Sequence, residues 1–242
     1  MGKYKICFLT KLIPPNMYAS ISDKSTYNMQ DAANALQWHI YEGLCQNYKD
    51  SVKLINVLPI GSFPQYYSGA FIQSAQFNTE YGKNNYNVGF CNVKLIRKYN
   101  IPIKVYNALI QEYMDTDEGI LYVYTISSEF MDAVFKFKKA KPGIKICAVV
   151  ADLPNMSNLS CNNNIVKRLF INHLAGKSYN QISCIDAFVF LTRQMAEYMK
   201  IDKPFCVIEG ISTSINDFGD VEIDYSGKLK TILYSGTLHK RF

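Results

Sequence analysis

Several signatures that would assign a function quickly are missing from this chain of 242 residues. No C-x-x-C pair occurs among its seven cysteines, so neither a zinc ribbon nor a thioredoxin-type redox pair is encoded. Seven is also an odd number, and the pattern fits reduced, mostly buried thiols of a cytoplasmic protein better than a disulfide frame. Two N-x-S sequons, at Asn155 and Asn158, then carry no meaning as glycan acceptors. No stretch approaches the roughly 18 consecutive apolar residues of a membrane span, and the N-terminal MGKYKICFLT lacks the cleavage site of a signal peptide. G-x-G-x-x-G, G-x-x-x-x-G-K-[ST] and G-x-S-x-G are all absent, which argues against nicotinamide or flavin binding, P-loop phosphoryl transfer and a hydrolase elbow. Histidine is scarce, with three residues at 39, 173 and 239, and no His and Cys set has metal-ligand spacing, so no metal is expected.

What is present describes an ordinary globular chain. Hydrophobic residues make up 48% and charged residues 19%, enough to bury a sizeable core. Lys and Arg outnumber Asp and Glu by 26 to 20, giving a net charge of +6. The cations are scattered in ones and twos along the chain instead of forming a basic arm. That spread fits an anionic ligand or a phospholipid surface as well as it fits nucleic acid, and a plain solvated surface better than any of these.

Periodicity along the chain makes strands and helices take turns. YKICFLT (Tyr4–Thr10) and KLINVL (Lys53–Leu58) read as strands, and YNVGFCNV as a third. QDAANALQWHIYEGL places Ala33, Leu36, Ile40 and Leu44 on one helical face. NVKLIRKYNIPIKVYNALIQEYMD has helical spacing with a break expected near Pro102. GILYVYTIS is a strand, and SEFMDAVFKFKKAKPG a helix stopped by Pro142 and Gly143. IKICAVVADLP, a helix over IVKRLFINHLAGKSY, the strand DAFVFLT, the helix RQMAEYM and the strand FCVIEG complete the series. Such alternation predicts an α/β fold, a doubly wound, Rossmann-like parallel sheet covered on both faces.

Ligands of such sheets sit beyond the carboxyl ends of the strands, so the residues following strands become candidates. The loop after the first strand offers Lys11, Tyr18, Ser20, Ser22 and Asp23. Asp152 follows KICAVVA, where a carboxylate can serve as general base, although capping the next segment is an equally good role for it. Glu209 follows FCVI in the same way. His39 and His173 lie within helices, where a single histidine is more often structural.

The order of these pieces resembles the family 4 glycosyltransferases of bacterial surface polysaccharide assembly. The stretches that carry the resemblance are AANALQWHIYEGL, VGFCNVKLIRKY, VVADLP, DAFVFLTRQMAEYM, VIEGI and ILYSGTLHKRF, six in the family's order over nearly the whole chain. The resemblance implies a GT-B architecture, in which two Rossmann-like domains face each other across a cleft. It makes residues 1–226 the acceptor-side domain and 227–242 a linker with the first strand of a donor-binding domain. It further implies transfer of a sugar from a nucleotide-sugar donor, with retention and without an obligatory metal, to a lipid-linked saccharide acceptor at the inner face of the cell membrane, with no nucleic-acid partner. Gly236, Lys240 and Arg241 match the family's YSGTL.KR segment and become donor-diphosphate candidates, with a glycine for close approach and cations for charge. Asp152 matches a cleft-facing position, although Ala151 stands where many relatives carry a histidine. Lys11, Tyr18, Asp23 and Glu209 become acceptor-side candidates. The family's E-x7-E motif is absent, since no two glutamates lie eight positions apart, and the 242 residues alone are therefore expected to be inactive. A non-catalytic subunit that binds acceptor or a partner transferase is the competing expectation.

Overall fold

A computed structural model describes residues 4–26, 29–48, 52–153 and 181–211. All of them belong to one compact unit, Met1–Ile211; a second unit, Ser212–Phe242, lies outside the described residues. The helix expected over residues 165–179, His173, His239, Gly236, Lys240 and Arg241 also lie outside them.

The fold is α/β, built on an eight-stranded sheet flanked by helices. In chain order the strands are β1 (Lys5–Thr10), β2 (Val52–Asn56), β3 (Phe71–Ile72), β4 (Ala75–Phe77), β5 (Asn85–Asn87), β6 (Phe90–Cys91), β7 (Gly119–Tyr124), β8 (Lys145–Val150), β9 (Ala187–Phe190) and β10 (Phe205–Val207). The sheet order is β10-β9-β8-β7-β1-β2-β5-β4, while β3 and β6 form a separate antiparallel pair. Every neighbouring pair in the large sheet is parallel except β4 on β5, at one edge. The described helices are α1 (Tyr18–Lys24), α2 (Asp31–Tyr48), α3 (Lys94–Glu112), α4 (Ser128–Ala140) and α5 (Arg193–Met199).

The strand sequences explain why both faces are covered. In register across the sheet run Ile55, Leu9, Val123, Ala148 and Phe188, each from a different strand, and all five are buried on one face. The buried residues of α3, α4 and α5 pack in this same cluster. The alternate positions Ile6, Phe8, Val52 and Leu54 point the other way, into a smaller cluster with Tyr41 and Cys45 of α2. Near-continuous apolar strands are what two covered faces require, since side chains alternate. At Gly119 a Cβ would overlap the Lys5 carbonyl, so β7 can start this close to β1 only with glycine.

Three sequence expectations need correcting. The buried face of α2 is Gln37, Tyr41 and Cys45, one position on from the expected stripe; Leu36, Ile40 and Leu44 pack half-buried beside it. YNVGFCNV is not one strand but two short ones, since β5 pairs with β2 and β4 and β6 with β3, and Gly89 between them lies so close to Ser74 and Ile72 that a Cβ there would clash with both. Pro102 does not break α3, which runs on from Lys94 to Glu112. Its ring is buried with Ile101, Val105 and Leu109, and packing on both sides outweighs one missing hydrogen bond.

Candidate functional site

The chain leaves β1 toward β2 and β5, then returns across β1 to build β7, β8, β9 and β10 on its other side. The carboxyl ends of β1 and β7 therefore flank the topological switch point, the place where ligands enter sheets of this kind. Residues 11–13 follow β1 there, residues 125–127 follow β7, and α4 begins at the same place.

Side chains, not glycines, fix the loop after β1. Gln37 of α2 accepts from Lys11 N–H (2.7 Å) and donates to Lys11 C=O (2.9 Å). Asn56, at the end of β2, does the same for Leu12, both at 2.9 Å. Ile13 is held by Asn34 through its N–H (2.8 Å) and by Trp38 Nε1 through its carbonyl (3.1 Å). Three consecutive residues thus have both backbone groups occupied, and the Lys11 side chain starts from a rigid base.

Lys11 Nζ donates to Glu129 Oε2 at 2.8 Å and lies 5.0 Å from the centre of the Phe130 ring. Arg97, in the first turn of α3, brings Nε to 3.7 Å from Glu129 Oε1. Its Nη1 is anchored on Ile60 C=O and Asn92 Oδ1, both at 2.9 Å, and its guanidinium packs over Phe90. Burial pushes the Glu129 carboxyl up, but the Lys11 charge and hydrogen bond, with Arg97 behind them, outweigh it and hold the group below the usual carboxylate range. All three side chains are less than a quarter exposed, so solvent screens them only in part.

Two further features converge on the same edge. Thr125, immediately after β7, has φ +65°, a left-handed conformation that a β-branched residue adopts at a cost of about 1–3 kcal/mol. Its N–H is fixed to Val149 C=O at 2.7 Å. Ser127 occupies the N-cap of α4 without capping it, and its Oγ is the one buried side-chain polar atom among the described residues with no hydrogen-bond partner. An orphaned hydroxyl at a helix start, beside a strained residue and a two-cation, one-carboxylate cluster, is arranged for a polar ligand. The net +1 of the cluster and the positive end of α4 favour a ligand with negative charge, while Glu129 can accept from hydroxyl groups.

The sequence-derived candidates distribute as follows. Lys11 belongs to this cluster. Asp152 is exposed at the carboxyl end of β8, one strand from β7, and its charge, after burial, helps push the Tyr124 hydroxyl up to about 12. Tyr18 opens α1 and donates its hydroxyl to Asp31 Oδ1 at 2.7 Å, while Asp23 is exposed late in α1. Glu209 is exposed beyond β10, at the same end of the sheet but four strands from β1, about 19 Å at the usual strand spacing. His39 lies 3.9 Å from Glu42 on α2.

Sequence reasoning passed over Arg97, Thr125, Ser127 and Glu129. The available signal for the last two was Ser127-Ser128-Glu129 directly after a buried strand, read there only as a helix start. Among the described residues no group of three His, Cys, Asp or Glu side chains is placed to hold a metal, and no helix is long and apolar enough to cross a membrane. Neither a known protein family nor a curated protein matches the chain.

Proposed function

We propose that the chain supplies the acceptor-side domain of a family 4 glycosyltransferase, which moves a sugar with retention from a nucleotide-sugar donor to a lipid-linked saccharide in surface polysaccharide assembly. The observation that carries this reading is the Lys11–Glu129–Arg97 cluster at the switch point, where a dinucleotide-binding sheet would present a glycine-rich phosphate cradle. A carboxylate held ionised between two cations suits a hydroxyl-rich ligand carrying an anionic group, which describes a saccharide on a phosphate linker. In this reading Glu129 accepts from acceptor hydroxyls, Lys11 and Arg97 meet its charge, and Ser127 Oγ finds its partner on the ligand. By resemblance Asp152, one strand from β7, takes the cleft-facing position, and the donor diphosphate falls to Gly236, Lys240 and Arg241. Because Glu129 is a weak base in this setting, it anchors rather than abstracts a proton.

That same property favours a second reading, a binding subunit that presents acceptor to a partner transferase. A saturation-transfer NMR panel tests the first step shared by both. Neutral saccharides, phosphorylated saccharides and nicotinamide dinucleotide are offered to the chain and to Glu129→Gln. Phosphorylated saccharides should bind, and the variant should lose roughly tenfold or more in affinity, in line with the 1.5–3 kcal/mol of a charged hydrogen bond. Preference for the dinucleotide, or no effect of the variant, would contradict the reading. Release of nucleoside diphosphate that depends on acceptor and donor, measured with a donor-binding domain fused to this chain, then separates an enzyme from a binding subunit.

A further inference from the structure

Beyond β2 the sheet continues through β5 to the antiparallel edge strand β4, about 10 Å further at the usual strand spacing. Ile55, Tyr86 and Gln76 stand opposite one another across these three strands, so their side chains share one face, and Lys53, two positions before Ile55, shares it too. Ile55 packs in the same cluster as the buried residues of α3, which identifies that face. Between these strands and the last turns of α3 lies a cavity of about 440 Å³, lined on the strand side by those four residues and on the helix side by Ala108, Gln111 and Glu112. Its size falls in the range of small-molecule sites, roughly 300–1,000 Å³, but its lining is more polar than is usual for them.

The polar groups say what would fill it. Glu112, only 10% exposed, holds Lys53 Nζ on one oxygen and Lys5 Nζ, at 3.0 Å, on the other. Charge at this end of the cavity is thus already matched: a cationic ligand would meet two lysines, and a polyanion the Glu112 carboxylate. Among the described residues the side chains of Gln76, Tyr86 and Gln111 have no hydrogen-bond partner. An amide and a phenol hydroxyl both donate and accept, and so does a ligand hydroxyl. Ile55, Ala108 and the Tyr86 ring add an apolar side, which suits the C–H face of a sugar ring. A flat aromatic ligand would use that ring but offers too few polar groups for two amides and an ion pair.

The cavity is separate from the Lys11–Glu129–Arg97 cluster. Lys53 stands opposite Cys7, four positions before Lys11 and about 13 Å from it along β1, and Ala108 follows Arg97 by about 16 Å along α3. We infer that the cavity is a second ligand site, which takes a neutral saccharide unit, its hydroxyls shared among the Gln76 and Gln111 amides and the Lys53–Glu112 pair and a ring face on Tyr86. The inference stands on the lining alone and does not need the transferase reading.

Backbone amide NMR of the full chain tests it. The probes are the methyl glycosides of glucose, galactose, mannose and N-acetylglucosamine, with adenosine as an aromatic and citrate as an anionic comparison. At least one glycoside should give saturable shifts at residues 53–55, 76, 86 and 108–112. Gln76→Ala/Gln111→Ala, which alters only exposed side chains, should weaken that binding about tenfold through lost hydrogen bonds, while Glu129→Gln should leave it unchanged. No saturable shift with any of the four glycosides, a response to adenosine or citrate alone, or unweakened binding by the double variant would overturn the inference. So would glycoside shifts confined to residues 11–13 and 125–130, an outcome that would leave the switch-point reading standing.

Discussion

At the scale of single residues, Glu129 decides whether the Lys11–Glu129–Arg97 cluster is a binding site or only an ion-pair network. Its carboxyl is held below the ordinary range by Lys11 and Arg97 against the opposing effect of burial. A group whose carboxyl is depressed on folding stabilises the native state fully above its unfolded value, about 4.3 for glutamate, and loses that contribution as pH falls through the native value. The stability gap between the native chain and Glu129→Gln should therefore be widest near neutral pH and shrink below about pH 4. Urea titrations across that range measure it, and a gap that is constant or grows in acid would show that the pairing contributes nothing. Asp186 has the same sign: burial raises its carboxyl, but Lys138 and the Ile146 N–H hold it low, so it adds to the acid sensitivity in the same window. None of this was legible in the sequence. Glu129 lies 118 positions from Lys11, and a Glu in the first turn of a helix has a sufficient local explanation in the helix dipole.

At the scale of elements, the strands and most helices could be read in advance because their apolar periods are strong, as KICFLT, GILYVY and KICAVV show. Where the sequence expectation is too simple, as at β5, which reads together with β6 as one strand, the structure owes its form to distant partners. β5 is the sequence Asn85-Tyr86-Asn87, a turn by composition, yet both asparagines are buried. Asn85 Oδ1 accepts from Leu54 N–H at 2.9 Å, and Asn87 Oδ1 accepts from Asn56 Nδ2 at 2.6 Å. Asn56 in turn ties both backbone groups of Leu12 and the Thr10 hydroxyl, so an amide ladder runs from β5 through β2 to the loop that carries Lys11. The one-residue rotation of α2 has the same origin, because Gln37 is buried to serve Lys11 rather than to avoid water. Asn56→Ala should cost about 3 kcal/mol or more in urea unfolding, since it orphans several buried groups at once, each worth about 1–3 kcal/mol. A loss under about 1 kcal/mol would mean that the ladder does not hold the loop.

At the scale of the whole molecule, fold and charge work together. A doubly wound sheet brings the ends of β1 and β7 side by side, and among the described residues α3 and α4 on one face carry exposed lysines while α2 on the other carries no lysine or arginine. The class of fold was legible because alternation of strand and helix leaves few architectures. The position of the candidate cluster was legible only as the loop after β1, and the side-by-side placement of the α3 and α4 lysines not at all, since it appears once those helices pack together. The β1–β7 switch point is proposed to take an anionic, hydroxyl-rich ligand. Backbone amide NMR during titration with a phosphorylated saccharide tests it most directly. The largest shifts should fall at residues 11–13 and 125–130, and Glu129→Gln should abolish them. Shifts centred elsewhere and unchanged by that substitution, or none at saturating ligand, would contradict it.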